Sequence, residues 1–210
     1  MPALFKRNTD ISVIVPVYNL ERYIKPLLIT LKDQQLDEYE AEYIFVLNNC
    51  TDNSEKVIRE SGLDCKILYC QEQGCGLARN TGLEQAHGDY IWFMDGDDWL
   101  LSDTAIRDVL DTATEQNLDI LRIPFDSDRF AWPYFSMVWQ YLLRRDFISE
   151  FRFPAFQPGE DDAYMTEVLN KAGYDRETYV TMPCAIQPMY FYNYGRVGSN
   201  MYRFNRGERI

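Results

Sequence analysis

Short, almost continuously apolar runs alternate with helix-patterned stretches through the first two-thirds of this chain, and few architectures accommodate that order. Ile11-Ser12-Val13-Ile14-Val15 is β-branched and is closed by Pro16. Tyr43-Ile44-Phe45-Val46-Leu47 is a second such run, Lys66-Ile67-Leu68-Tyr69-Cys70 a third, Tyr90-Ile91-Trp92-Phe93-Met94 a fourth, and Asp119 to Pro124 a fifth. Strands that are apolar throughout, rather than on alternate residues, must be covered on both faces. Helices between them supply that cover. Asn19 stands where it can cap the first helix, on which Tyr23, Leu27 and Leu31 share a face. Gly74-Cys75-Gly76 opens a helix from about Leu77 to Ala86 that Gly88 ends, and Ser102 is expected to cap an amphipathic helix with Ile106, Val109, Leu110 and Ala113 inward. The predicted fold is α/β, with a mostly parallel central sheet flanked by helices.

The pattern changes after Phe125. Residues 126–137 mix Phe130, Trp132, Tyr134 and Phe135 with proline and charge, and read as an ordered loop. Val138 to Phe147 reads as a helix with Trp139, Leu142 and Leu143 on its apolar side. Gly159-Glu160-Asp161-Asp162 precedes another helix carrying Tyr164, Met165, Val168 and Leu169. With no linker and no internal repeat, residues 1–210 are expected to form one domain whose second part is built onto the open side of the sheet.

Net charge of −12 sets a further condition. A surface this acidic repels phosphate backbones, which argues against nucleic acid as a partner. Any bound phosphate needs local compensation from a metal, a helix N-terminus or a placed arginine. Cys50, Cys65, Cys70, Cys75 and Cys184 lack paired C-x-x-C spacing. With His87 the only histidine, they read as reduced thiols rather than zinc ligands. The N-terminal residues contain no apolar signal-like region and no run approaches the length of a membrane span, so a cytoplasmic protein is expected.

In open parallel sheets ligands bind beyond the carboxyl ends of the strands. Two polar clusters fall there: Asn48-Asn49 after the second strand and Asp95-Gly96-Asp97-Asp98 after the fourth. Three carboxylates within four residues repel one another in a partly buried crevice. A hard divalent cation, Mg2+ or Mn2+, offsets that charge, taking one or two carboxylates and completing its shell with water and substrate phosphates. The alternative is a solvated acidic turn that leads into the next helix.

These blocks together resemble glycosyltransferase family 2, whose members share the GT-A nucleotide-sugar fold. The resemblance begins at Ile11 to Asn19. It runs through Thr51-Asp52-Asn53-Ser54, Gly76 to Gly82 and Gly88 to Trp99, and returns at Trp139 to Phe147, Glu160-Asp161-Asp162 and Tyr192 to Ser199. It implies an inverting transferase that moves a sugar from a nucleoside-diphosphate sugar to an acceptor hydroxyl, in polysaccharide or glycan assembly. Residues 1–124 would form the donor-binding half and 125–210 the acceptor-binding half. Asp95 and Asp97 match the D-x-D pair, Asp97 ligating Mn2+ or Mg2+ directly and Asp95 holding the ribose or a metal-bound water, with Asp98 behind them. Pro16, Val17 and Asn19 would line the nucleoside pocket, and Arg79 would reach the base or the phosphates. Asp161 matches the catalytic base, with Glu160 orienting it or the acceptor. For Glu160 to Asp162 a dipole-stabilised helix N-terminus is an equally available role, and both can hold at once.

Where the family commonly has an acidic residue after the second strand, this chain has Leu47-Asn48-Asn49-Cys50. An Asn48 carbonyl can accept a uracil imide N–H without charge assistance, which keeps a UDP-linked donor as the expectation. Arg196 is a candidate for neutralising leaving-group charge, with Ser199 in the same block. Arg203, Arg206 and Arg209 make the tail basic, open to a lipid-linked saccharide acceptor or to the inner face of a membrane as well as to solvent. The competing reading is a non-catalytic nucleotide-sugar or glycan-binding module of the same fold. A sugar-1-phosphate nucleotidyltransferase would need a glycine-rich basic loop after the first strand, and Pro16-Val17-Tyr18-Asn19 is unlike one.

Overall fold

The computed structural model describes residues 9–127, 136–156, 158–175 and 177–193. In chain order its elements are β1 (Ile11–Val17), α1 (Lys25–Lys32), β2 (Ala41–Asn48), α2 (Ser54–Glu60), β3 (Lys66–Cys70), α3 (Cys75–Leu83), β4 (Tyr90–Phe93), β5 (Trp99–Leu100), α4 (Ala105–Glu115), β6 (Ile120–Arg122), β7 (Phe125–Ser127), β8 (Tyr141–Arg144), α5 (Glu160–Lys171) and β9 (Tyr190–Tyr192).

Six strands form one sheet in the order β3-β2-β1-β4-β8-β6. The pairs among β1 to β4 are parallel, and β8 runs antiparallel between β4 and β6. Alternation along each strand divides the core in two. Ile11, Val13, Val15, Tyr43, Phe45, Leu47, Tyr90 and Trp92 face α1 and α4. Ile14, Ile44, Val46, Ile91 and Phe93 face α3 and α5. The apolar-throughout composition of these strands therefore reflects two buried faces, as in other sheets with helices on both sides. A second, three-stranded sheet has the order β5-β9-β7 and sits over the carboxyl end of β4. No helix among the described residues is long and apolar enough to cross a membrane.

Gly88 lets the α3–β4 connection lie against β1. A Cβ there would run into the backbone of Ile11 and Ser12, and the Gly88 amide donates to Ser12 Oγ at 2.8 Å. Its role is close approach, since α3 has already ended at Leu83.

Three expectations need correction. Val138 to Phe147 is not a helix: a short 3-10 turn, Val138–Gln140, leads directly into β8. The spacing of Trp139, Leu142 and Leu143 suited a helix. The structure instead sends Trp139 and Leu142 to one face of the sheet and Val138, Tyr141 and Leu143 to the other, so burial on both faces overrides helical patterning. Nor do the expected residues cap their helices: α1 begins at Lys25 behind Ile24 rather than Asn19, and α4 at Ala105 behind Thr104 rather than Ser102. Asn19 adopts a left-handed φ of 51° and its Oδ1 accepts the Thr51 amide at 2.8 Å, pinning the turn after β1 to the turn after β2. Of residues 126–137, Asp126 and Ser127 belong to β7, and the four aromatic residues from Phe130 to Phe135 lie outside the described residues.

Candidate active site

The site begins with Arg79, on the third turn-facing position of α3. Gly76, Ala78, Arg79 and Gly82 are the inner face of this helix, and glycine is required where it touches its neighbours: a Cβ at Gly82 would meet Ile14, and one at Gly76 would meet Phe153 Cβ at 2.8 Å and Glu160 Cγ at 3.2 Å. Close packing carries Arg79 into the interior, where only 3% of its side chain is exposed. There its fork engages carboxylates from two distant elements. Nη2 donates to Asp95 Oδ1 at 2.8 Å, Nη1 donates to Asp161 Oδ1 at 2.5 Å, and Glu160 Oε1 lies 3.7 Å from Nη1. The guanidinium also lies over the Phe153 ring, 5.4 Å from its centroid. Burial opposes its charge, but Asp161, Asp95 and Glu160 outweigh burial and keep Arg79 firmly protonated.

Asp161 occupies the first turn of α5, and Gly159, with φ of 105°, turns the chain into that helix. Burial pushes the Asp161 carboxyl up to about 7, with Glu160 and Asp95 adding to the rise while Arg79 and the Val138 amide pull it down. A carboxyl with this pKa is suited to exchange a proton near neutrality.

The acidic turn after β4 is a compact unit in which the Asp98 amide donates to the Asp95 carbonyl at 3.2 Å. The side chain of Asp95 is 29% exposed, Asp97 is half-buried and Asp98 is fully buried. Burial, with Asp97 and Asp95 nearby, holds the Asp98 carboxyl well above the usual carboxylate range. Among the described residues no three histidine, cysteine, aspartate or glutamate side chains converge as a ready-made metal cage. The donors that Asp95 and Asp97 offer are hard oxygens on one partly exposed turn. That set fits Mg2+ or Mn2+, which bind through one or two carboxylates and leave the remaining positions to water and phosphate.

The other residues expected at the site are placed as follows. Pro16 and Val17 end β1 beside Val46 and Leu47 of β2, at the carboxyl edge of the sheet. Asn48 is turned inward: its Nδ2 donates to the carbonyls of Cys70 and Glu72, and its Oδ1 accepts the Gly74 amide at 2.9 Å. Its side chain therefore holds the β3–α3 loop, and the exposed amide at this strand end belongs to Asn49. Arg196, Ser199 and the basic tail lie outside the described residues. Sequence reasoning missed Tyr190 and gave no role to Asn193, although Asn193 lies in the Tyr192 to Ser199 block. Tyr190 Oη donates to Asp98 Oδ2 at 2.6 Å and accepts the Asp95 amide at 3.0 Å, and the Asn193 amide donates to Asp98 Oδ1 at 2.8 Å. No local pattern marks a tyrosine 92 residues from its aspartate partner.

The sheet order, the helices on both faces and the acidic turn beyond β4 define an α/β protein of the GT-A type. The family model for glycosyl transferase family 2 matches residues 12–179, and the chain belongs to that family. Structural comparison agrees on the fold. Staphylococcus aureus TarS (residues 1–349), in complex with UDP-GlcNAc, superposes with a TM-score of 0.77 at 22% identity, covering 92% of this chain and 61% of that one. The mannosyltransferase PcManGT from Pyrobaculum calidifontis, in complex with GDP-Man and Mn2+, superposes with a TM-score of 0.71 at 16% identity, covering 96% and 61%. In sequence, the chain is 41% identical to Streptococcus pneumoniae glycosyltransferase GlyA over 99 residues, 46% of this chain and 14% of the relative. It is 34% identical to the S. aureus poly(ribitol-phosphate) beta-N-acetylglucosaminyltransferase TarS over 116 residues, 53% of this chain and 20% of the relative. The matched regions thus span about a fifth or less of these two curated relatives.

Proposed function

We propose that this chain transfers a sugar from a nucleoside-diphosphate sugar, UDP-linked in our reading, to an acceptor hydroxyl with inversion at the anomeric carbon. One observation carries the reading: a single buried guanidinium joins Asp95, at the end of β4, to Asp161, at the start of α5. Inverting transfer needs one carboxylate group at the leaving diphosphate and a separate one that takes the acceptor proton. Two such carboxylates, from different elements, are here held by one guanidinium.

In this mechanism Asp97 and Asp95 would hold Mn2+ or Mg2+, which supplies positive charge to the diphosphate. Pro16, Val17 and Asn19 would line the nucleoside end of the site, mostly through backbone. Asp161, in its ionised form, accepts the proton of the acceptor hydroxyl as that oxygen attacks. Arg79 steadies the carboxylate until then, and Glu160 orients the acceptor. Residues 1–124 serve the donor and 125–210 the acceptor, a saccharide or lipid-linked saccharide of a cell-envelope polymer. The TarS relative is named for a poly(ribitol-phosphate), which supports a hydroxyl-bearing polymer as acceptor. A lipid-linked acceptor would place the protein in the cytoplasm at the inner membrane face.

Turnover of UDP- and GDP-sugars with Mn2+ tests the reading. Slow release of nucleoside diphosphate, abolished by Asp97→Ala and by chelator, is expected. Asp161→Asn should still bind donor and lose transfer. Binding without any turnover, with or without saccharide acceptors, would make the chain a binding module and overturn the proposal.

A further inference from the structure

The acidic turn is held from outside its own strand. Tyr190 Oη stands between two of its residues, donating to Asp98 Oδ2 at 2.6 Å and accepting the Asp95 amide at 3.0 Å. Asn193 adds two more ties, its amide to Asp98 Oδ1 at 2.8 Å and its Nδ2 to the Asp97 carbonyl at 3.2 Å. All three aspartates are thus bound by one strand end, β9, 92 to 96 residues further along the chain. Tyr190 is fully buried. Its ring stacks on Trp139, with centroids 4.9 Å apart and planes 11° from parallel. Trp139 follows Val138, whose backbone amide is among the groups that pull the Asp161 carboxyl down. One side chain therefore touches the donor-side turn at its hydroxyl and, at its ring, the segment that holds the base.

A fully buried carboxyl group such as Asp98 is costly unless its oxygens are hydrogen-bonded, and here each oxygen has one donor. Neither donor belongs to the turn, so the turn cannot take this shape until β9 is docked. Groups that orient metal ligands from behind govern affinity nearly as strongly as the ligands do.

We infer that Tyr190, assisted by Asn193, is the positioning residue that sets the Asp95–Asp98 turn in its ligand-binding geometry and registers it against Asp161. The inference rests on the function proposed above. Its test uses the whole chain and the variants Tyr190→Phe, which removes one oxygen, and Asn193→Ala, which keeps the backbone amide but removes the tie to Asp97. Two readouts are needed. Amide hydrogen exchange without ligand should show faster exchange at Asp95 in Tyr190→Phe, because its acceptor is gone, while β1 and β2 keep parent protection. Calorimetric titration with UDP and with GDP, each with Mn2+, should show affinity weakened about 10-fold in Tyr190→Phe and less in Asn193→Ala. If both variants fold and bind nucleotide with Mn2+ as tightly as the parent, the positioning role is wrong even though the transferase reading stands. If the parent itself takes up neither nucleotide with Mn2+, the transferase reading fails and this assignment falls with it. The same titration in chelator should not separate Tyr190→Phe from the parent; a difference of equal size there would also overturn the role, by showing general loosening of the pocket.

Discussion

Arg79 and Asp161 form an ion pair across 82 residues of sequence, and it is the contact that ties α5 to α3 at the site. The pair is buried on the arginine side and partly open on the aspartate side, with 3% and 18% of the side chains exposed. Removing one partner from such an arrangement strands the other's charge.

Arg79→Met should therefore destabilise the protein by about 3 kcal/mol, near the lower end for breaking a buried pair, because the three carboxylates it neutralises keep some access to water. Thermal unfolding at neutral pH measures this. An unchanged melting temperature would show that the carboxylates relax apart without cost. Arg79→Lys should recover only part of the loss, since a single ammonium cannot span Asp95 and Asp161 as the fork does.

The pH dependence of transfer follows from Asp161. A base works only when ionised, and this carboxyl is held up to about 7, so kcat/KM should fall about tenfold per unit as pH drops below that value and level off above it. Arg79 pulls the carboxyl down, so Arg79→Met should move the acid limb to higher pH. The linked effect on stability has a fixed sign. The folded-state pKa lies above the unfolded value of about 3.9, so the unfolded chain gives up this proton first, and the contribution of Asp161 to stability declines as pH rises from about 4 to about 7. Rate profiles and melting temperatures across that range check both statements.

Asn48→Asp should be destabilising. Asn48 Nδ2 donates to two carbonyl oxygens, Cys70 at 3.1 Å and Glu72 at 2.6 Å, and a carboxylate would set like partial charges against them in a buried position. A loss of about 1–3 kcal/mol is expected. Asn49→Asp, at the exposed neighbour whose Nδ2 makes a single solvent-accessible bond to the Gln71 carbonyl at 3.2 Å, should cost clearly less. Equal melting temperatures for the two variants would contradict this account.

Gly88→Ala should be among the most damaging small substitutions in the chain. The added methyl would meet backbone of Ile11 and Ser12, which cannot rotate aside as a side chain can. Overpacking of this kind costs about 1–3 kcal/mol or more, and denaturant unfolding should register it without any change in the slope of the transition.

The sequence alone determined where β1 to β4 lie, that both faces of β1, β2 and β4 are buried, and that the acidic turn stands beyond the carboxyl end of β4; β3, at the sheet edge, leaves Tyr69 exposed. Each of these follows from residues adjacent in the chain, because local composition and period report how a segment is covered. Tertiary structure decided the rest. Tyr141–Arg144 is a strand because β4 and β6 leave a gap between them, and its own spacing suited a helix equally well. Asn48 faces inward because the β3–α3 loop needs its amide. Arg79 meets Asp95 and Asp161, and Tyr190 meets Asp98, only once helices and strands far apart in sequence have packed. Nothing in a linear pattern records which buried charge will lie beside which, since that choice is made by burial: in the low-dielectric interior each charged or polar group must find its partner from whatever the fold brings near.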